Sequence, residues 1–174
     1  MSERTPVPLS FLSIVIPARN EENSIGRTID DLRSELRQHD VPHEVIVVDD
    51  YSTDATWAKL AELAQTVPDL RIFQNPSTPG FGSAVVHGLD MMKGDAVVVM
   101  MADESDDCGD VVRYWQTLGE GYECVFGSRF IKGGRAIDYP KLKLLLNRCA
   151  NLFLKVNLQY SSERYDQRIQ GVSP

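Results

Sequence analysis

Residues 97–107 read Val-Val-Val-Met-Met-Ala-Asp-Glu-Ser-Asp-Asp and give the strongest indication of how this chain folds. An uninterrupted apolar run is typical of a strand in a parallel sheet, which is buried on both faces. The run ends in four carboxylates within five residues, and ligands of open α/β sheets bind just beyond the carboxyl ends of the strands. The pattern therefore predicts a divalent-cation site. For any single carboxylate, the alternative is a solvated loop in which Asp106 or Asp107 caps the next helix.

Two further apolar runs end in polar residues at corresponding positions. Residues 45–50 read Val-Ile-Val-Val-Asp-Asp, and residues 14–22 read Ile-Val-Ile-Pro-Ala-Arg-Asn-Glu-Glu. Because parallel strands end at the same edge of a sheet, we expect Arg19, Asp50 and Asp103 to converge on one crevice. A simple turn followed by a helix cap is the alternative for the polar residues that follow Pro17.

The rest of the chain alternates between short apolar runs and helical patterns. Strands are predicted at residues 11–16, 44–48, 71–74, 96–101 and 123–126, and helices around 25–36, 57–64, 85–89 and 111–118. Asn23 or Ser24 can cap the first helix, and residues 52–54 can cap the second. This alternation predicts an α/β fold with a mostly parallel central sheet and helices on both faces.

Composition limits the classes of function. A chain of 174 residues with 43% hydrophobic residues is long enough for one globular domain. Its net charge of −7 argues against nucleic-acid binding, which needs a basic face. The three cysteines, Cys108, Cys124 and Cys149, are widely spaced and predict neither a disulfide framework nor a zinc site. We expect no signal peptide and no transmembrane helix, and hence a cytoplasmic location.

Positive charge is concentrated in one segment, from Arg129 to Lys155, which holds seven basic residues against one acid. Within it, apolar residues from Leu142 to Val156 follow helical spacing beside Lys141 and Arg148. Such a helix can lie on the cytoplasmic face of an anionic membrane, which would make the protein peripheral. An ordinary amphipathic helix packed on the sheet explains the same pattern.

Three other interpretations of the motifs fit the sequence less well. A dinucleotide-binding fold requires a Gly-x-Gly-x-x-Gly motif after the first strand, where this chain has Pro-Ala-Arg-Asn-Glu. Gly80-Phe81-Gly82 is only a fragment of a phosphate loop, and its glycines are better explained by a tight turn and a close helix contact. A phospho-receiver domain needs a lysine after a late strand, where Gly127-Ser128-Arg129 stands.

Five ordered segments together resemble family 2 glycosyltransferases of the dolichyl-phosphate mannose synthase type. They are Ile-Val-Ile-Pro-Ala-Arg-Asn-Glu-Glu (14–22), Val-Ile-Val-Val-Asp-Asp-Tyr-Ser-Thr-Asp-Ala-Thr (45–56), Gly-Phe-Gly-Ser-Ala-Val-Val-His-Gly-Leu (80–89), Lys-Gly-Asp-Ala-Val-Val-Val-Met (93–100) and Phe-Gly-Ser-Arg-Phe (126–130). The resemblance implies a Rossmann-like GT-A nucleotide-sugar-binding domain over residues 1–158, truncated on the acceptor side. Residues 159–174 match no family segment and are predicted to form a divergent, disordered tail.

The same resemblance implies a site for a nucleoside-diphosphate sugar. The implied donor-binding residues are Pro17, Arg19, Glu21, Val48, Asp50, Met101, Ala102, Asp103 and Arg129. An aromatic residue is common in the family where this chain has Arg19, so the identity of the base stays open.

The family's Asp-x-Asp metal motif reads Met101-Ala102-Asp103 here. The resemblance implies Asp103 as the principal ligand of Mg²⁺ or Mn²⁺, with Ser105 and Asp107 as further candidates. Asp103 and Arg129 would act catalytically, because the cation and the guanidinium would stabilise the charge that develops on the diphosphate.

The reaction implied is inverting transfer of a hexose from a donor of the GDP-mannose or UDP-glucose type to a polyprenyl phosphate. A phosphate acceptor is already ionised at neutral pH, so that no general base is required. The alternative is a non-catalytic donor-binding remnant, or a subunit that needs a partner for activity. The sequence does not set the oligomeric state.

Overall fold

The structure is a computed structural model that describes residues 5–127. Arg129, the basic segment and the predicted tail lie outside the described residues. The elements are β1 (Leu12–Ala18), α1 (Ile25–Gln38), β2 (His43–Asp49), α2 (Thr56–Thr66), β3 (Leu70–Gln74), α3 (Phe81–Asp90), β4 (Ala96–Val99) and α4 (Cys108–Gly119). In the described part of the chain, no helix is long and apolar enough to cross a membrane.

The four strands form one parallel sheet in the order β3-β2-β1-β4. The chain builds outward from β1 to β3 and then returns to add β4 on the other side of β1. In open α/β sheets this reversal of strand order marks the place where ligands bind. All four strands end at one edge, formed with the loops that follow them at residues 18–22, 49–54, 75–80 and 100–107, and named here the carboxyl edge.

Helices cover both faces of the sheet, as the sequence predicted. One face packs Leu12, Ile14 and Ile16 against α1, α2 and α4. The other packs Val15 and Val48 against α3. Every residue of β1 is buried, which explains why its sequence, apart from Ser13, is apolar without alternation.

Helix α3 approaches the sheet closely at one glycine. A Cβ added at Gly88 would lie 2.3 Å from Cγ1 of Val15. A Cβ at Gly80 would come no closer than 3.6 Å to its nearest neighbour, and one at Gly82 would meet nothing within 4 Å. The close contact expected at Gly80 and Gly82 is therefore made at Gly88 instead.

Two strand predictions are wrong, one in where the strand ends and one in the strand itself. Strand β4 ends at Val99 rather than at residue 101. The backbone N–H of Met100 still donates to the carbonyl of Val15 at 3.0 Å, and beyond it the backbone N–H of Met101 donates to Asp106 Oδ2 at 2.8 Å, within the loop. Residues 123–126 form no strand. An apolar, aromatic run only favours extended backbone, and a strand also requires a partner; within residues 5–127 nothing pairs with this one.

The opposite, amino edge of the sheet is held by ion pairs between buried and partly buried side chains. Arg33 makes a two-pronged contact with Asp69, with N–O distances between 2.6 and 3.0 Å. Burial by itself would raise the pKa of Asp69, but the hydrogen bonds from Arg33 outweigh it and hold that pKa below its usual value. In the same region Glu44 accepts hydrogen bonds from Ser13 and Arg71, each at 2.7 Å.

Candidate functional site

The carboxyl edge concentrates backbone strain. Asn20, Tyr51 and Glu104 have φ values of 57°, 60° and 60°, in the left-handed region that residues with a Cβ rarely adopt. They lie in the loops that follow β1, β2 and β4. Asp40, with φ 52°, lies instead in the turn between α1 and β2. Strained backbone of this kind tends to cluster at functional sites.

Asp50 fastens the end of β2 to the loop before α3. Its side chain is nearly fully buried. Its Oδ1 accepts from Asn75 Nδ2 at 2.7 Å, and the backbone N–H of Gly80 lies 3.0 and 2.9 Å from the two carboxylate oxygens. Since Gly80 is the N-cap of α3, a carboxylate of the protein already occupies the positive end of that helix. The Gly80-Phe81-Gly82 segment is therefore the N-cap and first turn of α3.

The loops after β1 and β2 are fastened to each other. Asn20 Oδ1 accepts from the backbone N–H of Thr53 at 2.7 Å, and the backbone N–H of Glu21 donates to Thr56 Oγ1 at 2.8 Å. The carboxylate of Glu21 accepts from Ser24 Oγ at 2.6 Å. These bonds give a rigid loop pair from which Arg19 extends, with 56% of its side chain exposed and Nη1 3.9 Å from Asp50 Oδ2.

Asp49 and Asp50 are directed to opposite faces of the sheet, as neighbours along a strand are. Asp49 is buried, with Oδ2 3.4 Å from the backbone N–H of Ser52, and its Oδ1 has no hydrogen-bond partner among the described residues. Only Asp50 is therefore close to Arg19 and the loop before α3.

The acids after β4 have separate roles. Asp107 caps α4 by accepting from the backbone N–H of Gly109 at 2.8 Å, which confirms one of the two caps predicted. Asp106 holds the backbone of Met101. Glu104 pairs with Arg27 at 3.1 Å.

Asp103 is the acid of this loop that stays exposed without an ion pair or a capping role among the described residues. Within residues 5–127, its Oδ1 accepts only from the backbone N–H of Ser105, at 3.1 Å. The preceding Ala102 is buried, and its carbonyl accepts from Thr28 Oγ1 at 3.0 Å. The loop therefore holds the Asp103 backbone firmly and leaves its carboxylate facing solvent.

The candidate ligands Asp103, Ser105 and Asp107 suit a cation shared with substrate phosphates, and not one held by protein side chains alone. Within residues 5–127, no three His, Cys, Asp or Glu side chains are grouped closely enough to hold a metal ion. Asp107 is engaged as a helix cap, and the backbone N–H of Ser105 as a donor to Asp103. Mg²⁺ and Mn²⁺ are also commonly bound by one or two carboxylates together with substrate phosphates. The exposed carboxylate of Asp103 fits that second mode.

A cavity of about 480 Å³ opens beside this loop, between α1 and α4. Its lining includes Asp31, Glu35, Asp106 and Asp107. Burial first, and then the carboxylates of Asp31, Asp107 and Glu35, raise the pKa of the Cys108 thiol in the same lining to about 11. An anionic diphosphate would be repelled by this negative potential, so the exposed Arg19 side of the carboxyl edge is the better place for one.

The structure locates the other predicted residues as follows. Pro17 and Val48 are buried register partners in β1 and β2, and Met101 is partly exposed. Sequence reasoning missed Asn75 and Tyr51 as residues of this edge. Asn75 directly follows β3 and precedes a proline, a position where a side chain often caps a turn, so its sequence context carried a signal.

Comparisons with known proteins agree with the architecture. The family model described as Glycosyl transferase family 2 matches residues 13–170. This match runs past residue 158, and the boundary predicted there stays a prediction.

Two curated relatives are a dolichol-phosphate mannosyltransferase of Pyrococcus furiosus and a polyprenol monophosphomannose synthase of Mycolicibacterium smegmatis. The first is 29% identical over 147 residues, covering 84% of this chain and 41% of the relative. The second is 30% identical over 151 residues, covering 84% of this chain and 55% of the relative. This chain thus spans about half the length of these relatives.

Among solved structures, the glucosyl-3-phosphoglycerate synthase of M. tuberculosis is similar with a TM-score of 0.51 and 30% identity. The likeness covers 64% of this chain and 41% of that one. With a parallel GT-A-type sheet and a family match over most of its length, the chain belongs to glycosyl transferase family 2.

Proposed function

We propose that this chain binds a nucleoside-diphosphate sugar at the carboxyl edge and takes part in transferring its hexose, with inversion, to a polyprenyl phosphate. One observation carries the proposal. At the reversal of strand order, the edge presents an exposed guanidinium, Arg19, and an exposed carboxylate, Asp103, in a chain of this family. The two relatives named above act, by their names, on dolichol and polyprenol phosphates.

In this proposal the nucleoside lies over the ends of β1 and β2. Pro17 and Val48 are buried beside each other and would present backbone rather than side chains. Arg19 would bind oxygens of the base or a phosphate, since its planar guanidinium can donate two parallel hydrogen bonds. Asp50 would act mainly as a positioning residue, because Gly80 and Asn75 already engage its carboxylate. Glu21 lies beside the same loops and would contact the ribose.

Asp103 is the residue that would hold Mg²⁺ or Mn²⁺, together with the donor's phosphates. Such a cation, when bound, neutralises negative charge on the departing nucleoside diphosphate. Met101 and Ala102 hold the Asp103 backbone in place through Asp106 and Thr28. Ser105 donates its backbone N–H to Asp103 and so helps to orient that carboxylate.

The acceptor side of the proposal rests on chemistry. A lipid phosphate attacks through an oxygen that is already ionised, and no side chain has to remove a proton. Arg129 would bind a phosphate of the donor or of the acceptor. The basic segment from Arg129 to Lys155 would bring the protein to the anionic cytoplasmic face of a membrane.

A second candidate is a donor-binding chain that lacks activity without a partner. The observation that favours it is Met101, which stands where the family's Asp-x-Asp motif has its first aspartate and leaves Asp103 as the one carboxylate of that motif. The two candidates agree on donor binding and differ in turnover.

Calorimetry tests the shared part. Titrations of GDP-mannose and UDP-glucose, with and without Mn²⁺, should show metal-dependent binding of one donor. Asp103→Asn should abolish the metal dependence. Asp90→Asn, which changes an exposed acid at the far end of α3, should leave it intact. If the wild-type chain binds neither donor, the proposal is wrong.

Transfer of labelled hexose to a short polyprenyl phosphate then separates the candidates. Product with an inverted anomeric centre supports the transferase. Donor binding without product supports the partner-dependent chain.

A further inference from the structure

Tyr51 keeps an aromatic side chain at a position where the backbone would suit glycine. Its φ of 60° lies in the left-handed region, which disfavours residues with a Cβ. It directly follows Asp50, at the carboxyl end of β2. A strained, non-glycine residue at this edge calls for an explanation in terms of its side chain.

The Tyr51 side chain is held at both ends. Its hydroxyl donates to the carbonyl of Ser77 at 2.9 Å, across to the loop between β3 and α3. That loop is itself fixed, since Ser77 N–H donates to Asn75 Oδ1 at 3.0 Å and Asn75 bonds to Asp50. Even so, 49% of Tyr51 is exposed. The ring is therefore oriented in advance and keeps about half of its surface free.

A second planar group, the guanidinium of Arg19, lies near the carboxylate of Asp50, the residue that precedes Tyr51. Arg19 Nη1 lies 3.9 Å from Asp50 Oδ2, and the Asp50 backbone N–H donates to the carbonyl of Ala18 at 2.8 Å. Arg19 and Tyr51 thus flank Asp50 from the β1 side and from the β3 side. An aromatic ring and a guanidinium, both exposed, are the groups that stack on a planar heterocycle.

We infer that Tyr51 is a stacking residue for the nucleobase of the sugar donor, and that its bond to Ser77 fixes the ring for this purpose. The inference rests on the proposed function, because it assigns one more residue to that donor site. It places the base over the end of β2. A glycine at position 51 would relieve the backbone strain but would also remove the aromatic ring. The need for the ring therefore explains why a strained tyrosine is found there.

The test compares ligands with and without a base. GDP, UDP and inorganic pyrophosphate are titrated in the presence of Mn²⁺ into the wild type and Tyr51→Gly. Stacking on an aromatic ring accounts for about a tenfold change in affinity for a base. We expect Tyr51→Gly to bind the nucleotide that the wild type prefers about tenfold more weakly, and to bind pyrophosphate unchanged.

Asp40→Gly is the matched control. It relieves a similar left-handed strain, at φ 52°, in the turn between α1 and β2. It should bind all three ligands as the wild type does. Tyr51→Phe keeps the ring and loses the bond to Ser77, so its affinity should fall between those of the wild type and Tyr51→Gly.

Two results would overturn the inference: nucleotide affinity unchanged in Tyr51→Gly, or nucleotide and pyrophosphate weakened equally. The second would mean that Tyr51 only holds the loops together. Failure of the proposed function looks different, because the wild type itself would then bind neither GDP nor UDP.

Discussion

Replacing Asp50 by alanine tests whether the carboxyl edge depends on a buried carboxylate. The substitution removes the acceptor for the backbone N–H of Gly80 and for Asn75 Nδ2. Hydrogen bonds to a charged group contribute about 1.5–3 kcal/mol each. Asn75 keeps its contact with Ser83 Oγ at 2.9 Å, which reduces its share. We therefore expect Asp50→Ala to lower the free energy of unfolding by about 3–4 kcal/mol.

Domains of this size are stable by only about 5–15 kcal/mol, so Asp50→Ala can fall close to the folding threshold. Asp50→Asn provides a milder variant, because its amide oxygen still accepts one of the two hydrogen bonds. It should lose about 1–2 kcal/mol. Asp90→Ala removes an exposed acid from the C-terminal end of α3, the helix whose N-cap Gly80 bonds to Asp50. A negative charge is unfavourable at that end of a helix. Asp90→Ala should change stability by less than about 0.5 kcal/mol.

Urea unfolding followed by tryptophan fluorescence measures these differences, since Trp57 and Trp115 lie in α2 and α4. If Asp50→Ala lowers the free energy of unfolding by less than about 1 kcal/mol, the Asp50 carboxylate does not hold the end of β2 to the loop before α3 as described above. Asp50 would then be free for a direct contact with the donor, and the assignment of roles at this edge would have to be revised.

Three other predictions concern stability. Gly88→Ala should lose about 1–3 kcal/mol because its Cβ meets Val15, whereas Gly82→Ala in the same helix should gain up to about 1 kcal/mol; equal effects in urea unfolding would contradict the close contact. Asp107→Ala should lose about 1 kcal/mol and Asp107→Asn almost nothing, because asparagine also caps helices; a loss of Mn²⁺-dependent donor binding in Asp107→Asn would instead indicate a metal ligand. The pKa of Asp69 is lowered in the folded state, so its stabilising effect is present above its unfolded pKa of about 3.9 and disappears as the pH falls through the lower folded value. Asp69→Asn should start less stable and fall less steeply below pH 4; an unchanged slope in acid titrations would show that Asp69 is not linked to acid unfolding.

The sheet and its four helices could be predicted because their signals are local. Apolar runs and helical spacing identified β1 to β4 and α1 to α4 to within a few residues. The failure at residues 123–126 has a physical cause, since strand formation depends on a partner that a local pattern does not reveal. The register of Gly88 on Val15 was missed for the same reason, because it depends on where α3 crosses the sheet.

The roles of the acids after β4 were harder to predict from the sequence. The sequence shows four equivalent carboxylates, and each one's partner depends on the course of the loop backbone. Asp106 turns back to Met101 and Asp107 forward to Gly109. Only the three-dimensional loop shows that Asp103 remains exposed.

The two edges of the sheet differ in how they use charge. At the amino edge, the buried Glu44 and the partly buried Asp69 are engaged by arginines of the protein itself. At the carboxyl edge, Asp50 and Asp107 are engaged by backbone N–H groups instead, and Asp50 also by Asn75. Arg19 and Asp103 stay exposed there, beside strained backbone. Ion pairing does occur at this edge, since Arg27 pairs with Glu104 at 3.1 Å, whereas Arg19 lies 3.9 Å from Asp50 with 56% of its side chain exposed. A cationic and an anionic group that stay open at the edge where α/β proteins bind ligands are what the proposed binding of a donor's phosphates with a coordinated cation requires.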